Sequence, residues 1–315
     1  MKKISIIIPA YNEEESLPIL YTRIEEVINK INNYEFEILF VNDGSKDKTI
    51  QIIKKMREKD NRICYVDFSR NFGKEIAMIA GLDYAKGDAV IFMDADLQDP
   101  PELIPELVKY WEQGYDDVYA KRRSRKGETW LKKFTSKMYY KVLQKLTRIE
   151  IQKDTGDFRL LDRRCVNALK KLRETQRNTK SMFSWIGYNK KEVLYDRDPR
   201  IAGKTKWNYM KLFDLAIDGI TSFTTSPLRI STFLAIPTFI VLFIYFIYVI
   251  AKTFVVHEPI QAFQAIILLI LFFSGIQILL FGIIGEYLGR IFNETKNRPL
   301  YLVNEYNGEK EMNDK

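Results

Sequence analysis

Two carboxylates one residue apart are the side chains in this sequence best suited to chemistry. Asp94 and Asp96 directly follow an apolar run at residues 89–93, and the chain continues as Leu-Gln-Asp-Pro-Pro. Mg²⁺ and Mn²⁺ prefer oxygen ligands and often share them with nucleotide phosphates. A buried strand that ends in this pair therefore predicts a divalent-metal site, although an isolated Asp-x-Asp is also common in ordinary loops.

Alternating strand-like and helix-like patterns surround this pair over residues 1–120. The predicted strands are residues 4–8, 36–41, 63–68, 89–93 and 118–120, and the predicted helices are residues 14–31, 47–59, 74–85 and 101–112. This alternation predicts an α/β fold with a mostly parallel sheet covered on both faces. Ligands of such sheets bind at the carboxyl ends of the strands, where the polar clusters of this sequence fall.

Two long uncharged apolar stretches, residues 230–251 and 260–285, indicate a membrane protein. Each exceeds the roughly 20 residues needed to span a bilayer, and the short loop between them predicts a helical hairpin. A pair of buried core helices is the alternative. Basic residues flank both outer ends, whereas the loop offers only Lys252, so the positive-inside rule places both termini in the cytoplasm.

These features divide the chain into a cytoplasmic domain at residues 1–226, a transmembrane hairpin at 227–290 and a cytoplasmic tail at 291–315. Within the domain, residues 129–149 carry an apolar stripe beside a lysine stripe, which is typical of a helix at an anionic membrane interface. An amphipathic helix packed on its own domain is the alternative. Residues 207–222 are a second candidate interfacial helix. The polar tail after Val303 is expected to be mobile.

Composition excludes several classes of function. The only histidine, His257, lies between the two apolar stretches, which argues against a Ser-His-Asp hydrolase or a histidine metal site. The two cysteines, Cys64 and Cys165, are far apart and are interpreted as reduced thiols. The net charge of +8 favours anionic partners. Because the lysines concentrate near the apolar stretches, we expect a membrane surface and no nucleic acid.

Seven motifs occur in order along nearly the whole chain, at residues 7–13, 41–45, 69–74, 94–102, 156–161, 202–207 and 285–291. On these motifs the sequence resembles the family 2 glycosyltransferases of the GT-A fold. More narrowly, it resembles the polyprenyl-phosphate glycosyltransferases, which include bactoprenol glucosyltransferases and dolichol-phosphate mannose synthases. One departure is Lys204, where many relatives carry an acidic or small polar residue, and it bears on donor or acceptor detail.

The resemblance implies an inverting, metal-dependent glycosyltransferase. Such an enzyme moves a sugar from a UDP or GDP donor, with UDP-glucose the leading candidate, to undecaprenyl or dolichyl phosphate. It also implies Mg²⁺ or Mn²⁺ as cofactor, residence in the plasma membrane or bacterial inner membrane, and a homo-oligomer such as a tetramer. The sequence leaves the sugar and the nucleotide open.

The resemblance also assigns residues to roles. The nucleotide pocket would be lined by Pro9, Ala10, Tyr11, Glu13, Asp43, Asn71, Lys74, Asp94 and Ala95. The metal ligands would be Asp94, Asp96 and Gln98, and the catalytic residues Asp96 and Asp157. The acceptor phosphate would contact Arg122, Arg123, Arg159, Lys204 and Lys206.

Asp157 has two possible roles at this stage. In the family this position is read as the catalytic base. A lipid phosphate with a second pKa of about 6 is already largely deprotonated at neutral pH, however, and needs little help from a base. Asp157 would then orient a sugar hydroxyl or the phosphate.

Two other functions compete with this interpretation. A processive polysaccharide synthase predicts more membrane helices and a Gln-x-x-Arg-Trp motif, and the nearest fragment here is Thr205-Lys206-Trp207. A non-catalytic membrane scaffold with the same fold predicts loss of the Asp pair or of Asp157, and all three are present.

Overall fold

The computed structural model describes residues 1–123, 155–175, 177–196, 240, 244 and 262–308. The chain forms two compact units: Met1–Ala216 together with Pro299–Lys315, and Ile217–Arg298. The expected interfacial helices at 129–149 and 207–222 lie outside the described residues. The first expected span, 230–251, lies outside them except for residues 240 and 244.

An eight-stranded sheet organises the first unit. Its strands are β1 (Lys2–Ala10), β2 (Tyr34–Asn42), β3 (Ile63–Phe68), β4 (Ala89–Phe92), β5 (Asp117–Arg122), β6 (Thr155–Asp162), β7 (Lys190–Tyr195) and β8 (Val303–Tyr306). The helices of this unit are α1 (Leu17–Ile28), α2 (Thr49–Lys59), α3 (Lys74–Tyr84), α4 (Ile104–Glu112), α5 (Arg163–Lys170) and α6 (Thr179–Trp185). A short 3₁₀ turn, Pro101–Leu103, leads into α4.

The strand order is β7-β5-β6-β4-β1-β2-β3-β8. The pairs β1–β2, β1–β4, β2–β3 and β5–β7 are parallel. Strand β6 is antiparallel to both β4 and β5, and β8 is antiparallel to β3. The predicted α/β class with a mostly parallel sheet is therefore confirmed. The sequence pattern did not indicate the two antiparallel strands, β6 within the sheet and β8 at its edge.

Both faces of the central strands are buried. Along β1, Ile6 and Ile8 belong to the same core cluster as the apolar face of α1. Ile7 lies between them and points to the opposite face, because successive side chains of a strand alternate. There it meets α3 at Gly81, where an added Cβ would lie 2.3 Å from Ile7 Cγ2. This close approach fixes α3, and with it Lys74 at the first position of α3, against the sheet.

The expected mobility of the tail after Val303 is wrong for β8. Strand β8 extends the sheet beyond β3, and its Glu305 accepts hydrogen bonds from Tyr65 Oη and Lys54 Nζ, both at 2.5 Å. The polar residues of this segment predict mobility. The structure instead pairs those polar groups with α2 and β3, so the edge strand needs no apolar pattern of its own.

The second unit contains a long apolar helix, α7 (Ala262–Thr295). Its window Ile276–Thr295 has a mean hydropathy of 1.2 and is the one candidate membrane span among the described residues. The helix extends ten residues beyond residue 285, the predicted end of the second span, and Arg290 pairs with Glu286 one turn earlier at 3.0 Å. The described residues thus contain one candidate span, and the predicted two-helix hairpin is not confirmed.

Candidate active site

The carboxyl ends of four parallel strands meet at one edge of the sheet. Ala10 at the end of β1 is in register with Asn42 at the end of β2, and Asn42 is in register with Asp67 of β3. Met93, just after β4, donates its N–H to the carbonyl of Ile7 at 3.0 Å. The loops that follow these strands carry most of the residues predicted to bind nucleotide and metal, so the fold gathers them as expected.

A lysine lies between two of the predicted acidic residues. Lys74 Nζ is 2.6 Å from Asp94 Oδ1 and 2.6 Å from Asp157 Oδ2. Lys74 opens α3, Asp94 follows β4 and Asp157 lies in β6, so three elements distant in sequence build this cluster. The Lys74 side chain is 44% exposed and that of Asp157 11%. A ligand therefore has access to the cluster from the lysine side.

The charges in this cluster are fixed. Burial by itself would raise the pKa of Asp157, but the ammonium groups of Lys74 and Lys180 and the Arg159 guanidinium outweigh it and hold that pKa well below its usual range. Burial would likewise lower the pKa of Lys74, but Asp157 and Asp94 hold it well above its usual range. Lys74 and Asp157 are consequently both ionised at neutral pH.

The segment after Asp94 offers oxygen donors suited to a hard cation. Gln98 Oε1 is buried and has no hydrogen-bond partner among the described residues. Asp96 Oδ1 accepts the backbone N–H of Gln98 at 3.2 Å, across Leu97 in the left-handed region at φ 62°. The described residues form no cluster of three or more His, Cys, Asp or Glu side chains able to hold a metal. A cation on Asp96 and Gln98 would therefore need phosphate oxygens of a ligand to complete its shell.

Arg122 adjoins the acidic cluster from β5. An added Cβ on Gly156, the residue before Asp157, would lie 3.6 Å from Arg122 Nη2. Arg122 Nε and Asp157 Oδ1 are both buried, and neither has a hydrogen-bond partner among the described residues. These two atoms therefore retain hydrogen-bonding capacity that the described residues do not use. Arg123, the next predicted acceptor contact, is 60% exposed and lies 3.8 Å from Asp196.

Asp43 holds a loop in place. Its Oδ1 accepts the N–H of Phe72 at 2.6 Å, and its Oδ2 accepts that of Gly73 at 3.0 Å. Burial raises the pKa of Asp43, and the two N–H groups and Arg70 partly oppose that rise. The side chain thus shapes the loop at residues 69–73, which carries the exposed Asn71. Its expected contact with a base or ribose stays a prediction.

The first predicted nucleotide loop, after β1, is also held tightly. Asn12 takes φ 55°, its N–H donates to Ser45 Oγ at 3.0 Å and its Oδ1 accepts the N–H of Lys46 at 2.8 Å. Glu13 accepts from Ser16 Oγ at 2.7 Å. Four predicted pocket residues are buried or half-buried beside these loops: Pro9, Ala10, Tyr11 and Ala95.

The position of Arg159 argues against its expected contact with an acceptor phosphate. Its side chain is 0% exposed, lies 3.1 Å from the equally buried Asp117, and stacks on the Phe183 ring with its guanidinium carbon 3.8 Å from the centroid. Its place in the middle of β6 puts it in the interior. Lys204 and Lys206 lie outside the described residues.

Three residues that the sequence did not single out also belong to the site. Asp99 is buried, and its Oδ1 accepts from Tyr195 Oη at 3.1 Å. Burial, together with the Asp94 charge, raises the pKa of Asp99 to about 7. Lys180, in the first turn of α6, contributes positive charge to Asp157. Asp99 lies within the acidic motif and was therefore within reach of sequence reasoning, whereas nothing in the pattern marks Tyr195 or Lys180.

Comparison with known proteins identifies relatives of this chain. Residues 5–170 match the family model described as glycosyl transferase family 2. An uncharacterized glycosyltransferase of Synechocystis sp. is 50% identical over 96% of this chain and 95% of its own length. A prophage-derived bactoprenol glucosyl transferase of Shigella flexneri is 43% identical over 96% and 97%. Among solved structures, glucosyl-3-phosphoglycerate synthase of Mycobacterium tuberculosis aligns with a TM-score of 0.48 and 17% identity, over 70% of this chain and 78% of that one.

Proposed function

Because the chain belongs to glycosyl transferase family 2, we propose that it transfers a sugar from a nucleoside diphosphate to a polyprenyl phosphate with inversion. The observation that carries this proposal is the Asp94–Lys74–Asp157 cluster, which lies at the carboxyl edge of the sheet beside Gln98 and Arg122. The likeness to a bactoprenol glucosyl transferase over nearly the whole chain supports the lipid acceptor and makes UDP-glucose the first donor to test.

The reaction is a single in-line displacement. A phosphate oxygen of the lipid attacks the anomeric carbon, the bond from that carbon to the donor diphosphate breaks, and the nucleoside diphosphate leaves with the electron pair. The chemistry that Mg²⁺ or Mn²⁺ supplies when bound is stabilisation of negative charge on the leaving diphosphate. Asp96 and Gln98 would hold the cation, and Asp94 would lie beside it.

Asp157 acts as an orienting anion in this scheme. A carboxylate whose pKa lies far below neutrality is a weak base, and the lipid phosphate has little need of one. Its buried Oδ1, which has no partner among the described residues, is placed to accept from a sugar hydroxyl, while its Oδ2 holds Lys74. Lys74 in turn offers positive charge to the donor diphosphate.

The acceptor phosphate would be bound by arginine. Arg122 has a buried Nε that lacks a partner in the described part of the chain, and Arg123 next to it is exposed. The forked guanidinium suits phosphate oxygens. Lys204 and Lys206 are proposed as further contacts on the basis of their motif alone.

Membrane attachment by two spans is part of the proposal, and the sheet supports it. Strand β8 follows the second apolar stretch in the chain, yet it pairs with β3, which precedes the first. For a chain that crosses a bilayer, this pairing calls for an even number of crossings. We therefore propose a second crossing in residues 230–251 beside the candidate crossing α7, and, from the basic flanks, cytoplasmic termini.

Self-association through the spans is proposed as well. An added Cβ at Gly282 or Gly285 of α7 would meet nothing within 4 Å. Small residues at such positions let a second helix approach closely, so a homo-oligomer, such as a tetramer, is compatible with this helix.

The direct test is sugar transfer by the detergent-purified full-length protein. Undecaprenyl phosphate, Mg²⁺ or Mn²⁺, and a panel of UDP- and GDP-sugars are supplied, with and without a chelator. We expect a chelator-sensitive glycolipid from one donor, and its loss in Asp96→Asn. The matched control is Asp88→Asn: Asp88 lies just before β4, at its other end, and accepts the N–H of Lys3 at 2.8 Å. If the folded protein consumes no donor and binds no nucleoside diphosphate by calorimetry, the scaffold alternative replaces the enzyme.

A further inference from the structure

The C-terminal segment, residues 299–308, reaches the loop at residues 69–73 through a chain of contacts. The N–H of Ser69 donates to the carbonyl of Leu302 at 3.0 Å. The Tyr301 ring stacks on Phe68 with centroids 5.1 Å apart, and Phe68 meets Phe72 edge-on at 5.6 Å. Phe72 then donates its N–H to Asp43 Oδ1 at 2.6 Å. Residues from the end of the chain thus support the loop that Asp43 shapes.

A second line of contacts runs from β8 to the end of β2. Asn304 Nδ2 donates to Asp67 Oδ2 at 3.0 Å, and Asn42 Nδ2 donates to Asp67 Oδ1 at 2.6 Å. Asn42 is 1% exposed and directly precedes Asp43. Both lines therefore end at Asp43, one through the loop that it holds and one through its neighbour in the chain.

We propose that the C-terminal segment is a positioning element of the nucleotide pocket, with Tyr301 and Asn304 as its acting residues. This inference rests on the proposed function for the identity of the ligand, a nucleotide sugar. The support that the segment gives to the loop at residues 69–73 rests on the contacts above. The segment holds Phe68, Asp67 and the loop backbone in the arrangement that presents Asn71 and Lys74 to the donor. A segment that only covered the sheet edge would affect stability and leave donor binding unchanged.

Substitutions at Tyr301 separate these two roles. Tyr301→Ala removes the ring that stacks on Phe68, whereas Tyr301→Phe keeps the ring and loses only the hydroxyl that donates to Asp83 at 2.8 Å. Glu305→Gln is a second control, because Glu305 lies on β8 but contacts Lys54 and Tyr65 instead of the loop. Asn304→Ala tests the second line of contacts and replaces Tyr301→Ala if that variant does not fold.

Two measurements on the full-length protein decide whether the segment positions the nucleotide pocket or only stabilises the sheet edge. Hydrogen–deuterium exchange of the Phe72 and Gly73 amides is measured without nucleotide, and kcat and KM for the nucleotide sugar are measured with Mn²⁺. We expect faster exchange and a KM raised roughly five- to tenfold in Tyr301→Ala and Asn304→Ala, the low end of usual couplings between separated sites, with kcat nearly unchanged. Tyr301→Phe and Glu305→Gln should match the parent in both measurements.

The outcomes also separate this inference from the proposed function. Unchanged exchange at Phe72 and Gly73 in a folded Tyr301→Ala protein, with only a lower thermal midpoint, would overturn the positioning role. Equal effects from Glu305→Gln would overturn it as well, because they would show general loosening of the edge. If the parent protein binds no nucleotide, the proposed function fails, while the exchange measurement still decides whether the segment positions the loop.

Discussion

Asp157 is paired with Lys74, and this pairing determines how the rate should depend on pH. Because its pKa is depressed, Asp157 keeps its charge between pH 5 and 8, so it adds no titration there. The rate should instead fall between about pH 7 and 6, where Asp99, whose pKa burial and the Asp94 charge raise to about 7, takes up a proton and a phosphomonoester takes up its second one. In Asp157→Asn we expect kcat/KM to fall on the order of a hundredfold through misplacement of the reactants, with the midpoint unchanged.

The measurement is kcat/KM for the lipid acceptor from pH 5 to 8 in the parent protein, in Asp157→Asn and in the Asp88→Asn control. A general base would give a different result. Removing it would abolish or displace the acidic limb of the profile, and that outcome would restore the base role to Asp157.

Substitutions at Arg159 and Arg123 should have different effects, one on the stability of the fold and the other on binding of the acceptor. Arg159 and Asp117 are both 0% exposed, so Arg159→Leu removes the cation paired with a buried carboxylate and should lower the free energy of unfolding by about 3–5 kcal/mol. Arg123→Ala removes an exposed pair worth about 0–1 kcal/mol. It should raise the acceptor KM roughly tenfold, the effect of losing one hydrogen bond to a charged group.

Chemical denaturation and acceptor titration of the two variants provide this comparison. A stable Arg159→Leu protein with a selectively raised acceptor KM would contradict the structural role assigned to Arg159.

The sequence indicates the residues of the candidate site more readily than the ion pairs between them. Asp94, Asp96 and Asp157 were marked by motifs, and the apolar run before Asp94 placed it at a strand end. The contact between Lys74 and Asp157 spans 83 residues and depends on the antiparallel insertion of β6, for which the pattern gives no signal. Arg159 shows the same limit, because a motif cannot tell a buried arginine from an exposed one.

The turn between β2 and α2 packs closely against the backbone of the loop at residues 69–73. Gly44 has φ +62°, and an added Cβ would lie 2.3 Å from the carbonyl carbon of Arg70 and 2.6 Å from the Asn71 nitrogen. Backbone atoms cannot move aside as a flexible side chain can. Gly44→Ala should therefore lower the free energy of unfolding by about 3 kcal/mol, more than the conformational penalty alone, and raise the nucleotide-sugar KM about tenfold.

Gly114→Ala is the matched control for this prediction. Gly114 also has a positive φ, +93°, but an added Cβ would meet nothing within 4 Å. Only the conformational penalty of about 1–2 kcal/mol remains, and the KM should not change. Equal KM values in the two variants, measured beside denaturation curves, would show that the turn does not set the geometry of the pocket.

The elements themselves were predictable where apolar runs define them. The predicted strand at 63–68 coincides with β3, and the predicted helix at 74–85 differs from α3 by one residue. Strand β8 was missed because Val-Asn-Glu-Tyr is short and polar and becomes a strand only through the edge of β3. Charge marks the end of an apolar span at residue 285 but does not mark the end of the helix, because Glu and Arg are good helix formers and α7 runs on to Thr295.

The pairing of β8 with β3 limits how many times the chain between them could cross a membrane, which hydropathy alone does not do. A sheet that contains both flanks of an apolar region is possible only if the chain returns to the side from which it left. One span alone is incompatible with it. Two crossings, or two apolar stretches that never enter a bilayer, are both compatible with the sheet, and these alternatives differ in where the connecting loop lies.

Cysteine labelling in intact bacterial cells distinguishes two membrane crossings from none. In a Cys64→Ser background, with Cys165 left in place because it is 0% exposed, His257→Cys tests the loop and Asn313→Cys tests the tail. Under the proposed two-span topology, with the loop outside and both flanks inside, a membrane-impermeant maleimide should label residue 257 in intact cells and residue 313 only after permeabilisation. Labelling of residue 313 in intact cells would contradict the cytoplasmic placement. Protection of both positions until permeabilisation would mean that the apolar stretches do not cross the membrane.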